Sequence, residues 1–252
     1  MPSNERSFKT PTLVLRRMEL GEADWLLTLL TPHHGKLDAI AKGARKINSR
    51  KIGHVELFTR ADMLIHTGRE LGIVVQAEMN AAYVPLRDQI ERGSLAGYAA
   101  ELVDRFTFQG DITPRALFDL LDVTFARIGD DADPRLAARY FEMHLLDLVG
   151  FRPELSECVI GHEAIQPEDQ FFSITEGGVV CPRDAARGTS YVPLPVRTLK
   201  LMRHLQRSGY EDLRGLAVSL ALHDDLERVM LSYVSFLLER RPRSADMVKR
   251  LR

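Results

Sequence analysis

With 252 residues, 45% hydrophobic and 27% charged, the chain can bury one large core or two to three small ones, and its composition is ordinary for a soluble globular protein. No apolar run approaches the roughly 18 residues that span a bilayer, the opening "MPSNERSFKTP" lacks an apolar leader, and two cysteines are too few for a disulfide framework. The expectation is a cytoplasmic protein without membrane association. A formal net charge of −1 hides a segregation: residues 1–84 carry a net +3, residues 85–190 a net −9 and residues 191–252 a net +5. Such a division suggests separate surfaces for separate partners.

From the start to about residue 84 the dominant period is two, which predicts half-buried strands. These are "TLVLRR" (12–17), "DWLLTLLT" (24–31), "KLDAIAK" (36–42), "RADMLIHTG" (60–68) and "GIVVQAEMN" (72–80). In the third, Leu37, Ala39 and Ala41 alternate with Lys36, Asp38, Ile40 and Lys42; in the fourth, Ala61, Met63 and Ile65 share a face. In the fifth, Ile73, Val75, Ala77 and Met79 are set against Val74, Gln76, Glu78 and Asn80. Five short strands without an intervening helix point to a small closed barrel, since closure removes exposed edges. An OB-type barrel has that strand number and size, and an SH3-like barrel is the rival from pattern alone.

After Pro85 the period becomes helical. Leu86, Ile90, Leu95, Tyr98, Ala99, Leu102 and Phe106 form one stripe. Thr113 and Pro114 then read as N-cap and first helical position, and Asp133 and Pro134 repeat the device in a helix ending at Gly150. Residues 151–193 break the pattern with a Gly- and Pro-containing insert, and helical periodicity resumes in "RTLKLMRHLQRSG" and "LHDDLERVMLSYVSFLLER". The expected architecture is therefore α+β, a barrel over residues 1–84 and a helical domain over 85–252 that carries the insert.

Between Lys36 and Lys51 lie six basic side chains (Lys36, Lys42, Arg45, Lys46, Arg50, Lys51) and one acid, Asp38. A polycationic loop beside a barrel strand suits a phosphate backbone, where binding gains from counterion release; the alternative is a solvated loop. Arg16, Arg17 and Arg69 at strand ends would extend the same groove. Only Trp25 and Phe58 are at hand for base stacking, so sequence readout should be weak. His33 and His34 in "PHHG" are best explained by a turn. The insert offers Cys158, His162, Cys181 and Asp184, a weak metal set beside the two cysteine pairs a structural zinc usually takes. No nucleotide-binding glycine loop, nucleophile elbow or clustered carboxylate motif is present, so covalent catalysis is not expected.

The stretch "LVLRRMELGEADWLLTLLTPHHGKLDAIAKGARK", with "GEAD" and "AKGARK" in order, resembles the opening of the RecO family of recombination mediators. The likeness runs on through "ELVDRF", "LFDLLD", "RYFEMHLLDLVGFRPELSEC", "GGVVC" and "RRPRSADMVKRL". It implies an OB domain, a helical domain and a cysteine insert in a bacterial protein that acts at the nucleoid. It further implies binding of single- and double-stranded DNA, annealing of complementary strands, and work with RecR to load RecA on strands coated by single-strand-binding protein. The departure lies in the insert. Zinc-bearing members show CxxC…CxxC, whereas here the second and fourth positions are Gly161 and Asp184, so no zinc or other cofactor is expected, and Phe171, Phe172 and Ile174 would pack the hairpin. The resemblance also implies a receptor for the acidic C-terminal tail of single-strand-binding protein, with Arg135, Arg139 and Arg228 as candidate cations; the alternative is surface pairing with Glu142, Asp147 or Glu227. Other readings left by the residues are a protein-binding adaptor, separated by its lack of salt-dependent DNA binding, and an enzyme, a metal-dependent nuclease or a tRNA-processing factor with an OB domain, separated by product formation.

Overall fold

The computed structural model describes residues 7–68, 71–111, 114–188 and 191–250, the last three of these in backbone only. Five strands make a closed barrel in the order β1-β2-β3-β5-β4: β1 (Ser7–Leu20), β2 (Asp24–Thr31), β3 (Gly35–Ala41), β4 (Arg60–His66) and β5 (Gly72–Ala81). This is the OB arrangement. His33 and His34 lie in the turn from β2 to β3.

β1 serves both neighbours. Its first half pairs with β4, from Ser7↔His66 to Leu13↔Arg60, and its second half with β2, from Leu13↔Leu30 to Leu20↔Asp24. Closure falls to a short parallel contact, Ala39↔Gly72 and Ile40↔Ile73. A Cβ on Gly72 would stand 2.8 Å from Ile65 Cγ2 and 3.4 Å from Ala39 Cβ, so this close approach needs glycine. The core is filled by Val14, Leu27, Leu29, Ala39, Ala41, Ala61, Met63, Ile65 and Val74, which puts the inner faces of β3 and β4 where their alternation places them.

β5 departs from its alternation. Ile65 pairs with Val74 but Leu64 with Gln76, leaving Val75 as an extra residue in a bulge. A bulge shifts the inward phase by one residue. Val74 is therefore buried while Val75 and Met79 face outward, with only Ala77 of the expected inner face packed against the core.

Helices α1 (Pro85–Asp88), α2 (Ile90–Phe106) and α3 (Arg115–Asp130) follow. They belong to the same compact unit as the barrel, which runs to Ala132. Phe58 and Tyr83 both meet the ring of Phe125 edge-on, at 5.4 and 5.9 Å between centroids. Asp122 takes hydrogen bonds from Arg60 and Tyr83, each at 2.6 Å. Because α3 begins at Arg115, Pro114 is its cap rather than its first residue; Thr113 lies outside the described residues.

The second unit spans Asp133–Asp246. It opens with α4 (Pro134–Leu148), whose cap Asp133 accepts from the Leu136 amide at 3.0 Å and whose first residue is Pro134. β6 (Gln170–Ser173), β7 (Gly178–Val180) and β8 (Val192–Leu194) form an antiparallel sheet in the order β7-β6-β8, with α5 (Pro182–Ala185) between β7 and β8. α6 (Val196–Arg207) and α7 (Leu220–Leu237) pack against α4; α8 (Arg243–Arg250) follows, its residues from Met247 on counting with the first unit. Phe172 is fully buried and its ring meets Tyr233 edge-on at 5.3 Å. No helix among the described residues is long and apolar enough to cross a membrane.

Candidate nucleic-acid interface

The chain between β3 and β4 leaves the barrel and returns to it. Ala44 and Val55 are fully buried in the barrel core, so the excursion is clamped at both ends. Gly43 adopts φ +67 and donates its amide to Asp24 Oδ1 at 2.7 Å. The Arg45 amide donates to the Ala23 carbonyl at 2.9 Å. Short turns, Lys46 N–H to Gly43 O and Ser49 N–H to Lys46 O, brace the outer part. The side chains of Lys42, Lys46 and Arg50 point to solvent with no hydrogen-bond or ion-pair partner among the described residues. Three unpaired cations on a braced loop can neutralise phosphate oxygens without first giving up a protein partner.

The other basic residues of the segment have structural attachments. Arg45 donates to the Gly21 carbonyl at 3.0 Å, pairs with Glu19 at 2.9 Å and lies 5.3 Å from the Trp25 ring centre. Arg17 lies over the same ring at 4.1 Å and pairs with Glu56 at 2.5 Å. Both are partly exposed, so phosphate can compete with the carboxylates for them. Lys51 donates to the Val74 carbonyl at 2.8 Å, and burial holds its pKa down. Arg16 leans on Thr28 Oγ1, which donates to Asp38 at 2.7 Å.

Two expectations need correcting. Lys36 is not on an open strand face: it is buried, with Nζ 2.5 Å from the Asp104 carbonyl and 2.9 Å from its carboxylate at the end of α2. The helix covers that face, which strand alternation cannot reveal. Phe58 is 7% exposed, packed on Phe125 at a positive φ of 63, and cannot stack a base. Arg69 lies outside the described residues. A residue that alternation and charge did not single out is Ile47, 94% exposed at the outer part of the loop.

In the second unit the three arginines separate. Arg139 is 4% exposed and sits 2.9 Å from Glu142, itself fully buried, one turn along α4. It is an internal ion pair, neither the border of an open pocket nor a surface pair, because Arg139 lies on the side of α4 turned to the interior. Arg135 stands 4.0 Å from Asp224, and Arg228 donates to Asp225 at 2.7 Å and to the Pro193 carbonyl at 3.0 Å.

The insert gathers Cys158, Cys181 and Asp184, whose ligand atoms lie within 4.8 Å of one another; exposed His162 does not join them. Both thiols donate to Asp184 Oδ2, at 3.2 and 3.3 Å, and Arg183 Nε donates to Oδ1 at 3.3 Å. The thiol bonds and the guanidinium hold the Asp184 carboxyl below its ordinary range, while burial pushes the Cys181 thiol up. A closed structural zinc site wants four protein ligands. Here a Cβ on Gly161 would collide with Asp184 Oδ2, so the place of a fourth side chain is taken by the carboxylate. Cys158, Cys181 and Asp184 thus offer three closely spaced donor groups where a four-thiolate zinc site would use two cysteine pairs.

A closed five-stranded barrel in 1-2-3-5-4 order, carrying a cationic excursion between its third and fourth strands and continued by helices, defines an OB-type module joined to an α-helical region. The family model for the recombination protein O N terminal matches residues 6–83, and that for the recombination protein O C terminal matches residues 87–246. The DNA repair protein RecO of Roseiflexus sp. (strain RS-1) is 38% identical over 240 residues, covering 95% of this chain and 84% of that protein. That of Pelotomaculum thermopropionicum is 34% identical over 92% of this chain and 90% of its own, and one from Dehalococcoides mccartyi (strain ATCC BAA-2266 / KCTC 15142 / 195) is 30% identical over 94% and 93%. The chain belongs to the recombination protein O family.

Proposed function

We propose that the chain is a DNA-binding mediator of repair that anneals complementary single strands and, with RecR, helps load RecA onto strands coated by single-strand-binding protein. The observation that carries the DNA-binding part is the loop with Lys42, Lys46 and Arg50 exposed and unpaired beside the barrel. Relatives named as DNA repair proteins supply the context. Annealing then needs no covalent step. The cations screen strand–strand repulsion and the bases do the pairing. Two complementary oligonucleotides, one labelled, should pair faster with the chain than without it, and less so as salt rises. An unchanged rate at low salt would defeat the reading. The acidic tail of single-strand-binding protein is proposed to meet the second unit at Arg135 and Arg228, which α4 and α7 keep partly exposed.

The insert is proposed to hold without metal. Elemental analysis of the purified chain should find no stoichiometric zinc, and chelator should leave the unfolding midpoint unchanged. About one zinc per chain would contradict this and implicate Cys158, Cys181 and Asp184. Replacing Gly161 and Asp184 together by Cys should conversely create zinc binding, since it supplies the two absent ligands and removes the carboxylate that fills their space.

A further inference from the structure

Ile47 has no structural task in the described fold. It is 94% exposed, ahead of every other large apolar side chain among the described residues, Leu220 coming next at 72%. A lone exposed aliphatic is common on an ordinary surface, but this one follows Lys46 directly and stands within the segment bounded by the exposed cations Lys42 and Arg50. The loop around it is held. Ala44 and Val55 are buried at its two ends, and hydrogen bonds from Lys46 to Gly43 and from Ser49 to Lys46 fix the turns on either side. A β-branched side chain is stiff at χ1, so the group is presented in one direction at little entropic cost.

A segment that draws phosphates to Lys42, Lys46 and Arg50 brings Ile47 against the strand they belong to. There the side chain has no polar partner to find, since it carries no donor or acceptor. It can stay in water or enter the base stack, as the apolar wedges that many minor-groove binders set beside their cations do, opening a base step. We propose that Ile47 is such a wedge: the loop grips the backbone and Ile47 unstacks one base step of the bound strand. This rests on the DNA-binding reading above and deepens it, since it names what the same loop does to the bases. An aliphatic wedge reads no hydrogen-bond pattern, so its preference should follow ease of unstacking. Flexible pyrimidine–purine steps would be favoured over stiff A-tracts.

The test uses the full chain and oligonucleotides carrying 2-aminopurine, whose emission rises when it leaves the stack. Titration with the wild-type chain should raise emission severalfold, more for a label within a TA step than within an A-tract. Ile47→Ser should abolish most of that rise while weakening binding by only about two- to fivefold, because the gain from burying the side chain is largely offset by the cost of unstacking. Ile47→Leu should keep the rise. The salt dependence should be the same in all three, since no charge changes. As the side chain is exposed, folding is not at stake in these variants. Equal emission for wild type and Ile47→Ser, with salt-dependent binding intact, would overturn the wedge alone. Absence of salt-dependent DNA binding by the wild type would overturn the underlying reading together with it.

Discussion

Replacing Lys42, Lys46 and Arg50 together by Gln should flatten the salt dependence of DNA binding by roughly 0.7–0.9 in log–log slope for each phosphate left without its cation, about 2 to 3 in all. A counterion-release contribution of that slope vanishes near 1 M salt, so at 0.1 M it corresponds to roughly a hundredfold to a thousandfold weaker binding. The weakening should be alike for unrelated sequences, because phosphates carry no sequence. Stability should hardly change, since none of the three side chains has a partner among the described residues. Arg45 and Lys51 serve poorly as substitutes in this experiment. Their removal would also strip the attachments to Gly21, Glu19, Trp25 and Val74 that hold the loop. Titrations at four or five salt concentrations check the slope; a triple variant that keeps the wild-type slope would move the phosphate-binding surface elsewhere.

Arg139→Ala should be among the most destabilising single changes in the second unit. It removes the guanidinium that stands 2.9 Å from the carboxylate of Glu142, itself 0% exposed. Removing one partner of a buried ion pair costs about 3–5 kcal/mol, which for a chain of this size lowers the melting temperature by roughly 6–20 °C. The double change Arg139→Met with Glu142→Leu should recover most of that stability, since an apolar pair of similar volume carries no desolvation penalty. Urea unfolding of the wild type and the two variants measures both effects. Titration with a peptide of the single-strand-binding protein tail should instead respond to Arg135 and Arg228. If Arg139→Ala folded with wild-type stability yet no longer bound the peptide, the Arg139 cation would be functional after all.

What could be read in advance followed from periodicity. The strands of the barrel come from alternation that needs no partner to interpret, and the Asp133–Pro134 start of α4 from local capping chemistry. The misplaced residues share one cause, which is that something distant in the chain covers them. Lys36 looks solvent-facing until the end of α2 is laid on it, and Phe58 looks available until Phe125 arrives from α3. Arg139 illustrates the same limit in another form: an Arg three residues before a Glu on a helix reads as a surface pair, and only the packing of α4 makes it internal. The bulge at Val75 depends on cross-strand register, which a single strand's pattern does not contain. The exposure of Lys42, Lys46 and Arg50 is legible because nothing covers them, whereas Lys36 is covered and Arg45 and Lys51 are tied to the fold. The exposure of Ile47 has no periodic trace in the sequence, because it is one aliphatic within a loop.

The division of β1 between two neighbours bears on how the barrel assembles. Its second half meets β2 across a tight turn, from Leu20↔Asp24 onward, whereas its first half must wait for β4, with Ser7 opposite His66. The local hairpin can form as soon as residue 31 is available, but the long-range pairing carries a loop-closure cost that slows it. Until then the first half of β1 presents an unpaired edge, the kind of template on which partly folded chains associate. The parallel pairing at Gly72, which shuts the cylinder, depends on a residue still later in the chain. A bulkier side chain there would therefore act first on the yield of folded protein and on aggregation during refolding, before any effect on DNA could be seen.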